Sequence, residues 1–258
     1  MERLLELLLA LLQGLTEPLP ISSSGHLVLA KAWFGIDQPG LAFEAFVNLG
    51  SLFGVLAYYQ TFIITLVTSA IREIKQQDKP HIHYIIQVGL ATIPALVAGL
   101  LLADLVEQFA TPAVVGLMLL ITGVLLFIIH RRPRSTRLDI TYTDASYIGV
   151  AQAVAIMPGL SRSGLTTIMG LFRGLEFSSV LRFSLMMYIP ISIAAGAWSV
   201  LSADTAMVFS GWEMVYLLTA ASGTYIMIGS FIRIVEARKL HWLAIYCLLV
   251  GTLAIVLL

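Results

Sequence analysis

Gln13-Gly14-Leu15-Thr16-Glu17-Pro18-Leu19-Pro20-Ile21-Ser22-Ser23-Ser24-Gly25-His26 is a polar run between two short apolar arms, residues 4–12 and 27–34. A carboxylate, an imidazole and three hydroxyls cost free energy in an apolar chain unless they face protein, water or a ligand, so the run reads as a site. Each arm has only about half of the ~20 residues that a membrane-crossing helix needs, which favours a helix–break–helix that enters the membrane and returns. The break is written in the residues: Pro18 and Pro20 end the first half-helix, and Gly25 lets the backbone turn close to a ligand.

A second stretch answers the first. Gln152-Ala153-Val154-Ala155-Ile156-Met157-Pro158-Gly159-Leu160-Ser161-Arg162-Ser163-Gly164 repeats it at a constant offset, with Gln152 at the place of Gln13 and Ser161-Arg162-Ser163-Gly164 at the place of Ser22-Ser23-Ser24-Gly25. Its proline is one position out of register. Interrupted apolar segments at corresponding places in two halves point to a midplane site built from an internal repeat. One motif brings Glu17 and His26, the other Arg162.

The surrounding composition fits. Of 258 residues, 59% are hydrophobic and 12% charged, which excludes an ordinary soluble domain and describes a single polytopic helical membrane domain. The lone Cys247, in an apolar run, excludes an internal disulfide and reads as a core residue. Residues 1–3 lack the features of a removable leader and read as part of the fold. No nucleotide loop, zinc spacing or basic-aromatic surface is present, so no nucleic acid partner is expected.

Six further apolar segments, about 43–71, 84–103, 112–129, 179–201, 214–232 and 242–258, are each near spanning length. The expected fold is therefore all-α: six transmembrane helices plus two re-entrant helix-loop-helix segments. Basic loops carry Arg72/Lys75/Lys79, Arg131/Arg132/Arg134/Arg137 and Arg233/Arg238/Lys239, whereas the loops around Asp104/Glu107 and Asp204/Glu213 carry no cation. The positive-inside rule makes the basic loops cytoplasmic and places both termini outside. Three crossings per half give inverted-topology repeats, about 1–130 and 140–258, so that the motifs enter from opposite faces and meet with Arg162 facing Glu17 and His26.

A buried guanidinium beside serines and half-helix N-termini suits a phosphate-like dianion. Arg162 is the expected anion clamp; a structural pair with Glu17 is its other reading. His26 is a candidate nucleophile, base or acid, against a packing role, and Glu17 could orient it or bind a divalent cation. Ser23, three residues before His26, is a second candidate nucleophile, and the residues do not choose between the two. Ser22, Ser24, Gly25, Ser161, Ser163, Gly164 and Thr166 are read as phosphate-binding positions, some of the hydroxyls alternatively capping the half-helices. Glu44 and Asn48 either line the same cavity or form a helix-to-helix bond. Arg173, Arg182, His81, His83, His130 and His241 read as solvent, headgroup or topology residues, and the later aromatics as interfacial belt and packing.

With these residues laid out, Gln13-x-x-x-Glu17, Pro20-Ile21-Ser22-Ser23-Ser24-Gly25-His26 and Pro158-Gly159-Leu160-Ser161-Arg162-Ser163-Gly164 resemble the signature motifs of the bacterial undecaprenyl-diphosphatase family, often called the bacitracin-resistance proteins. The resemblance covers most of the chain. It implies hydrolysis of undecaprenyl diphosphate to undecaprenyl phosphate and inorganic phosphate, recycling the lipid carrier of cell-wall synthesis. It implies functional positions at Gln13, Glu17, Ser23, His26 and Arg162, a Mg2+ or Ca2+ requirement with Glu17 and Gln13 as ligands, a homodimer, and a plasma-membrane site opening to the outer face. Many relatives carry Glu where this chain has Gln13, which leaves Glu17 to supply the charge. Type-2 lipid phosphatases share the look of Ser23-Ser24-Gly25-His26 but require His at the place of Ile168 and Lys at the place of Leu125. A lipid-phosphate flippase built on the same inverted repeats is the alternative from another class.

Overall fold

The computed structural model describes residues 2–35, 41–132, 135–202 and 211–258. The expectations that fell on 36–40, Arg134 and Asp204 lie outside the described residues, as do the side chains of Asp104 and Glu107. The regular structure is helical throughout: α1 (Glu2–Thr16), α2 (Ser23–Phe34), α3 (Leu41–Tyr58), α4 (Gln60–Glu73), α5 (Pro80–Gln108), α6 (Pro112–His130), α7 (Tyr142–Val154), α8 (Arg162–Phe172), α9 (Phe177–Ser202), α10 (Gly211–Glu236) and α11 (Leu240–Leu257). Among the described residues outside the helices, one isolated backbone bridge pairs Arg137 with Leu175.

The two motifs form the breaks α1/α2 and α7/α8. At 15, 12, 13 and 11 residues, all four helices are too short to cross alone. Each second helix starts on a serine: Ser22 Oγ accepts from Gly25 N at 3.3 Å and Ser161 Oγ from Gly164 N at 3.0 Å. These are N-caps, which satisfy donors that a helix start otherwise leaves bare.

Among the described residues, five single helices are long and apolar enough to span: Pro80–Leu102, Pro112–His130, Phe177–Ser199, Gly211–Glu236 and Leu240–Leu257. The protein is thus an all-α polytopic membrane protein. The segment expected as one crossing at 43–71 is built of two helices, Phe43–Tyr58 and Gln60–Glu73, bent by 72°; together they are long and apolar enough to make a sixth, broken span. The corner is Tyr59, at φ −98° and ψ 15°, with the Tyr58 and Phe62 rings packed edge to face on its own. Neither proline nor glycine marks that corner, so hydropathy reads straight through it.

Close approach of helices fixes the frame. A Cβ built on Gly14 of α1 would lie 2.4 Å from the Ala220 carbonyl oxygen of α10, and one on Gly149 of α7 would lie 2.6 Å from that of Ala91 in α5. Between α6 and α11, Gly116 and Gly251 are each within 3 Å of the other's carbonyl oxygen by the same measure. Small residues at such contacts let backbones touch where lipid removes the hydrophobic drive for association. Each broken pair is thereby anchored to a long helix, α1 on α10 and α7 on α5, with the core between them built from residues such as Leu119, Leu185, Ile228 and Phe231.

Candidate active site

Glu17 stands in the turn after α1, where prolines prevent the helix from continuing. One turn earlier Gln13 donates its amide Nε2–H to Glu17 Oε2 at 2.9 Å. Ser23, the first residue of α2, donates its hydroxyl to the same oxygen. From the other broken pair Arg162, the first residue of α8, donates Nη2–H to Glu17 Oε1 at 2.6 Å. The carboxylate therefore binds both motifs at once. Its side chain is 9% exposed and that of Arg162 16% exposed, so removing either leaves the other's charge largely uncompensated, at a cost of about 3–5 kcal/mol.

Arg162 is held on two further sides. Its Nη1 donates to the Ser184 carbonyl at 3.4 Å, and its guanidinium carbon lies 4.2 Å from the centre of the Tyr188 ring. The Tyr188 hydroxyl donates to Asn48, 2.5 Å from Oδ1 and 2.9 Å from the carbonyl oxygen, and Asn48 Nδ2 donates to Ser192 at 3.3 Å. Of the two readings of Asn48, the helix-to-helix bond is the one observed. Glu44 likewise bonds between helices, pairing with Lys31 of α2.

Around the ion pair lies a small cleft of about 50 Å3 lined by Glu17, Ser22, Ser23, Ser24, Ala155, Leu160, Ser161, Arg162 and Ser163. Five of the expected serines thus come together on it with both charges. Ser161 and Ser163 also tie the two turns, donating to the Leu19 carbonyl at 3.4 and 2.9 Å. Gly25 serves by closeness: a Cβ there would sit 2.9 Å from Gly159 Cα. Gly164, like Gly25, gives its amide to the cap. Thr166 does not line the cleft. Fully buried, its hydroxyl reaches the Arg162 carbonyl at 2.8 Å and the Ser184 hydroxyl at 2.6 Å.

His26 does not line the cleft either. Its Nδ1 lies 2.7 Å from the Ser22 carbonyl oxygen and its Nε2 2.7 Å from the Tyr246 hydroxyl of α11, with the two rings nearly parallel. A carbonyl only accepts, so Nδ1 carries the proton, and in the neutral ring Nε2 accepts from Tyr246. Ser22 itself sits at φ 69°, ψ 94°, a region that costs a non-glycine residue about 1–3 kcal/mol. Tyr188 and Tyr246 both escaped the sequence reading, which took mid-helix aromatics as packing; only their hydroxyls, at membrane depth, hint otherwise.

At the base of α7/α8 lies a second charged cluster. Asp144 accepts from Arg137 Nη1 at 2.6 Å, Arg173 Nε at 2.9 Å and the Thr141 amide at 3.1 Å. Burial acts to raise its pKa, but the bonds from Arg137, Thr141 and Arg173 outweigh it and hold the carboxyl well below the usual range. Arg173, expected at headgroups, is thus a structural ion-pair partner, because Asp144 is buried beneath it. Arg182 lies over the Phe62 ring. The peripheral histidines also find protein: His81 pairs with Glu73, His83 bonds the Tyr142 hydroxyl at 2.6 Å, and the His130 and His241 rings lie 4.8 Å apart.

Residues 6–253 match the family model described as bacitracin resistance protein BacA. The chain is 37% identical to a protein of Oceanobacillus iheyensis named undecaprenyl-diphosphatase, over 97% of this chain and 94% of that one. It is 38% identical to proteins named undecaprenyl-diphosphatase 1 from Halalkalibacterium halodurans and Bacillus cereus, over 98% of this chain and 95% and 96% of theirs.

Proposed function

The chain belongs to the bacitracin resistance protein BacA family, and from that membership and the intramembrane site we infer that it hydrolyses undecaprenyl diphosphate to undecaprenyl phosphate and inorganic phosphate. The observation that carries the chemistry is Ser23 and Arg162, from different broken helix pairs, bonded to the two oxygens of one carboxylate. None of the relatives named above is described as a transporter, so the flippase alternative gains nothing from them.

The reading of the reaction starts with the anion. The diphosphate takes the Arg162 guanidinium and the cleft serines, competing with Glu17 for Arg162 and leaving the carboxylate to receive the Ser23 proton. Ser23 Oγ then attacks the terminal phosphorus, its proton passes to Glu17, and the bond to the bridging oxygen breaks with departure of undecaprenyl phosphate. A phosphate leaving group stabilises its own charge, so no acid facing the cleft is required. With that proton released to solvent, Glu17 acts as base on a water that attacks the phosphoserine phosphorus; the Oγ–P bond breaks, inorganic phosphate leaves, and the proton taken from water returns from Glu17 to Ser23 Oγ. Geometry favours Ser23 over His26 as nucleophile because both nitrogens of His26 are engaged outside the cleft.

For a divalent cation, the chemistry of the donor set is the test. Glu17, the Gln13 amide oxygen and the Ser23 hydroxyl offer hard oxygen ligands suited to Mg2+ or Ca2+, and a single carboxylate completed by substrate phosphates is a usual Mg2+ arrangement. Glu17 and Gln13 would hold the ion. When bound, it would neutralise charge developing on the phosphoryl oxygens.

The remaining framework follows the loop charges. We place the protein in the bacterial plasma membrane with both termini outside and the cleft opening to the outer face, the halves 1–130 and 140–258 being inverted repeats. Support comes from the basic loops and from the matched caps at Ser22 and Ser161. A homodimer is part of the reading, supported by the family resemblance. The test is phosphate release from undecaprenyl diphosphate by purified protein in detergent, where sidedness vanishes. Release that needs divalent cation and falls at least about 100-fold in Arg162→Ala and His26→Ala supports the reading. Unchanged rates in both variants contradict it.

A further inference from the structure

The geometry points to Tyr246 as a positioning residue for the reaction: acting through His26, it holds the turn at Ser22 that presents Ser23 to Glu17. The chain of contacts is continuous. The Tyr246 hydroxyl donates to His26 Nε2, which places the ring proton on Nδ1; Nδ1–H donates to the Ser22 carbonyl; and Ser23, the next residue, donates to Glu17. Ser22 needs such a hold, because it is one of only two non-glycine positions with positive φ among the described residues.

The other broken pair is an internal control. Its cap, Ser161, makes the same bond to the amide three residues on, but at an ordinary φ of −74° and ψ of 116°. Leu165 stands where the first pair has His26: its backbone N–H donates to the Ser161 carbonyl at 2.8 Å, as that of His26 does to the Ser22 carbonyl at 3.1 Å, but it has no side-chain donor to add a second bond. The strained cap and the imidazole–phenol relay occur together, on the pair that carries Ser23. Tyr246 sits on α11, a spanning helix of largely apolar residues, where a hydroxyl without a partner would be costly. Its hydroxyl also specifies the tautomer: a proton moved to Nε2 would leave Nδ1 facing the Ser22 carbonyl, lone pair against lone pair.

This inference rests on Ser23 as nucleophile, and its test separates the two. In the detergent assay, Tyr246→Phe, which keeps the ring and removes the hydroxyl, is expected to lower kcat about tenfold with KM within about twofold, since one hydrogen bond is lost and no anion-binding group is touched. His26→Asn puts an amide N–H at the place of Nδ1, with no tautomer to select. It is expected to recover at least about tenfold over His26→Ala, and Tyr246→Phe is expected to add no further loss in the His26→Asn background. Melting temperatures in detergent accompany each variant. Three results would overturn the inference: a Tyr246→Phe enzyme with normal kcat, a His26→Asn enzyme as inactive as His26→Ala, or an equal Tyr246→Phe loss in both backgrounds. An enzyme that obeys all three expectations yet forms no phosphoserine keeps the relay and removes the Ser23 reading instead.

Discussion

The two broken helix pairs share a scaffold and divide the chemistry. In both, a serine caps the second half-helix through the amide three residues on, and the residue after that serine, Ser23 in one and Arg162 in the other, reaches Glu17. The difference lies one turn upstream. Gln13 gives its amide to Glu17, whereas Gln152, at the corresponding place, has Ile156 where Glu17 would stand, and its buried amide finds no partner among the described residues. A repeated scaffold brings the two tips together, and unequal side chains make a single polar site of what symmetry would have made two.

The largest effect should come from breaking the convergence. Glu17→Gln and Ser23→Ala are each expected to lower kcat about 1,000-fold in the detergent assay, as loss of a nucleophile or of its base commonly does. Ile156→Glu, which copies the first motif's carboxylate into the second, is expected to destabilise the protein and to restore no activity to Glu17→Gln. Recovery there would show that the halves are interchangeable.

Next comes the base of the second pair. Asp144→Asn leaves Arg137 and Arg173, each more than a third exposed and so open to water, without their carboxylate and should cost about 1–2 kcal/mol, read as a lower melting temperature in detergent. The sign of its pH dependence follows from the lowered pKa. The carboxylate stabilises the fold above its unfolded value near 3.9 and loses that contribution as pH falls towards its folded value, so wild type should lose stability below about pH 4 more steeply than Asp144→Asn.

Smaller effects test the upstream asymmetry. Gln152→Leu removes an unpartnered buried amide and is expected to be neutral or to stabilise by up to about 1–2 kcal/mol with activity kept, whereas Gln13→Leu should reduce activity. Gln13→Glu sets a second carboxylate beside Glu17. Without cation the two repel, and with it the pair binds better, so the cation concentration for half-maximal activity should fall severalfold.

Much of this was legible in the chain because membranes allow few solutions. Polar groups and prolines at 13–26 and 152–164 marked the breaks, and the constant offset marked their equivalence. Convergence of Glu17 with Arg162 followed from the loop charges before any contact was visible. The bend at Tyr59 was not legible, since neither proline nor glycine announces it. The partners of His26 and Arg162 were hidden for a different reason: Tyr246 and Tyr188 lie far along the chain in apolar helices, and periodicity cannot distinguish a packing tyrosine from one whose hydroxyl holds an imidazole or whose ring carries a guanidinium. His26 shows the limit most sharply, because spacing set it beside Ser23 while the fold turned its ring towards α11.

The most direct test of the shared site is to mix enzyme with undecaprenyl diphosphate labelled in its terminal phosphate, quench within one turnover, and locate the label by mass spectrometry. The account predicts an acid-stable phosphoester on Ser23 that is absent in Glu17→Gln and in Arg162→Ala. Label held as an acid-labile phosphoramidate on His26, or turnover with no labelled protein at any time, would contradict it.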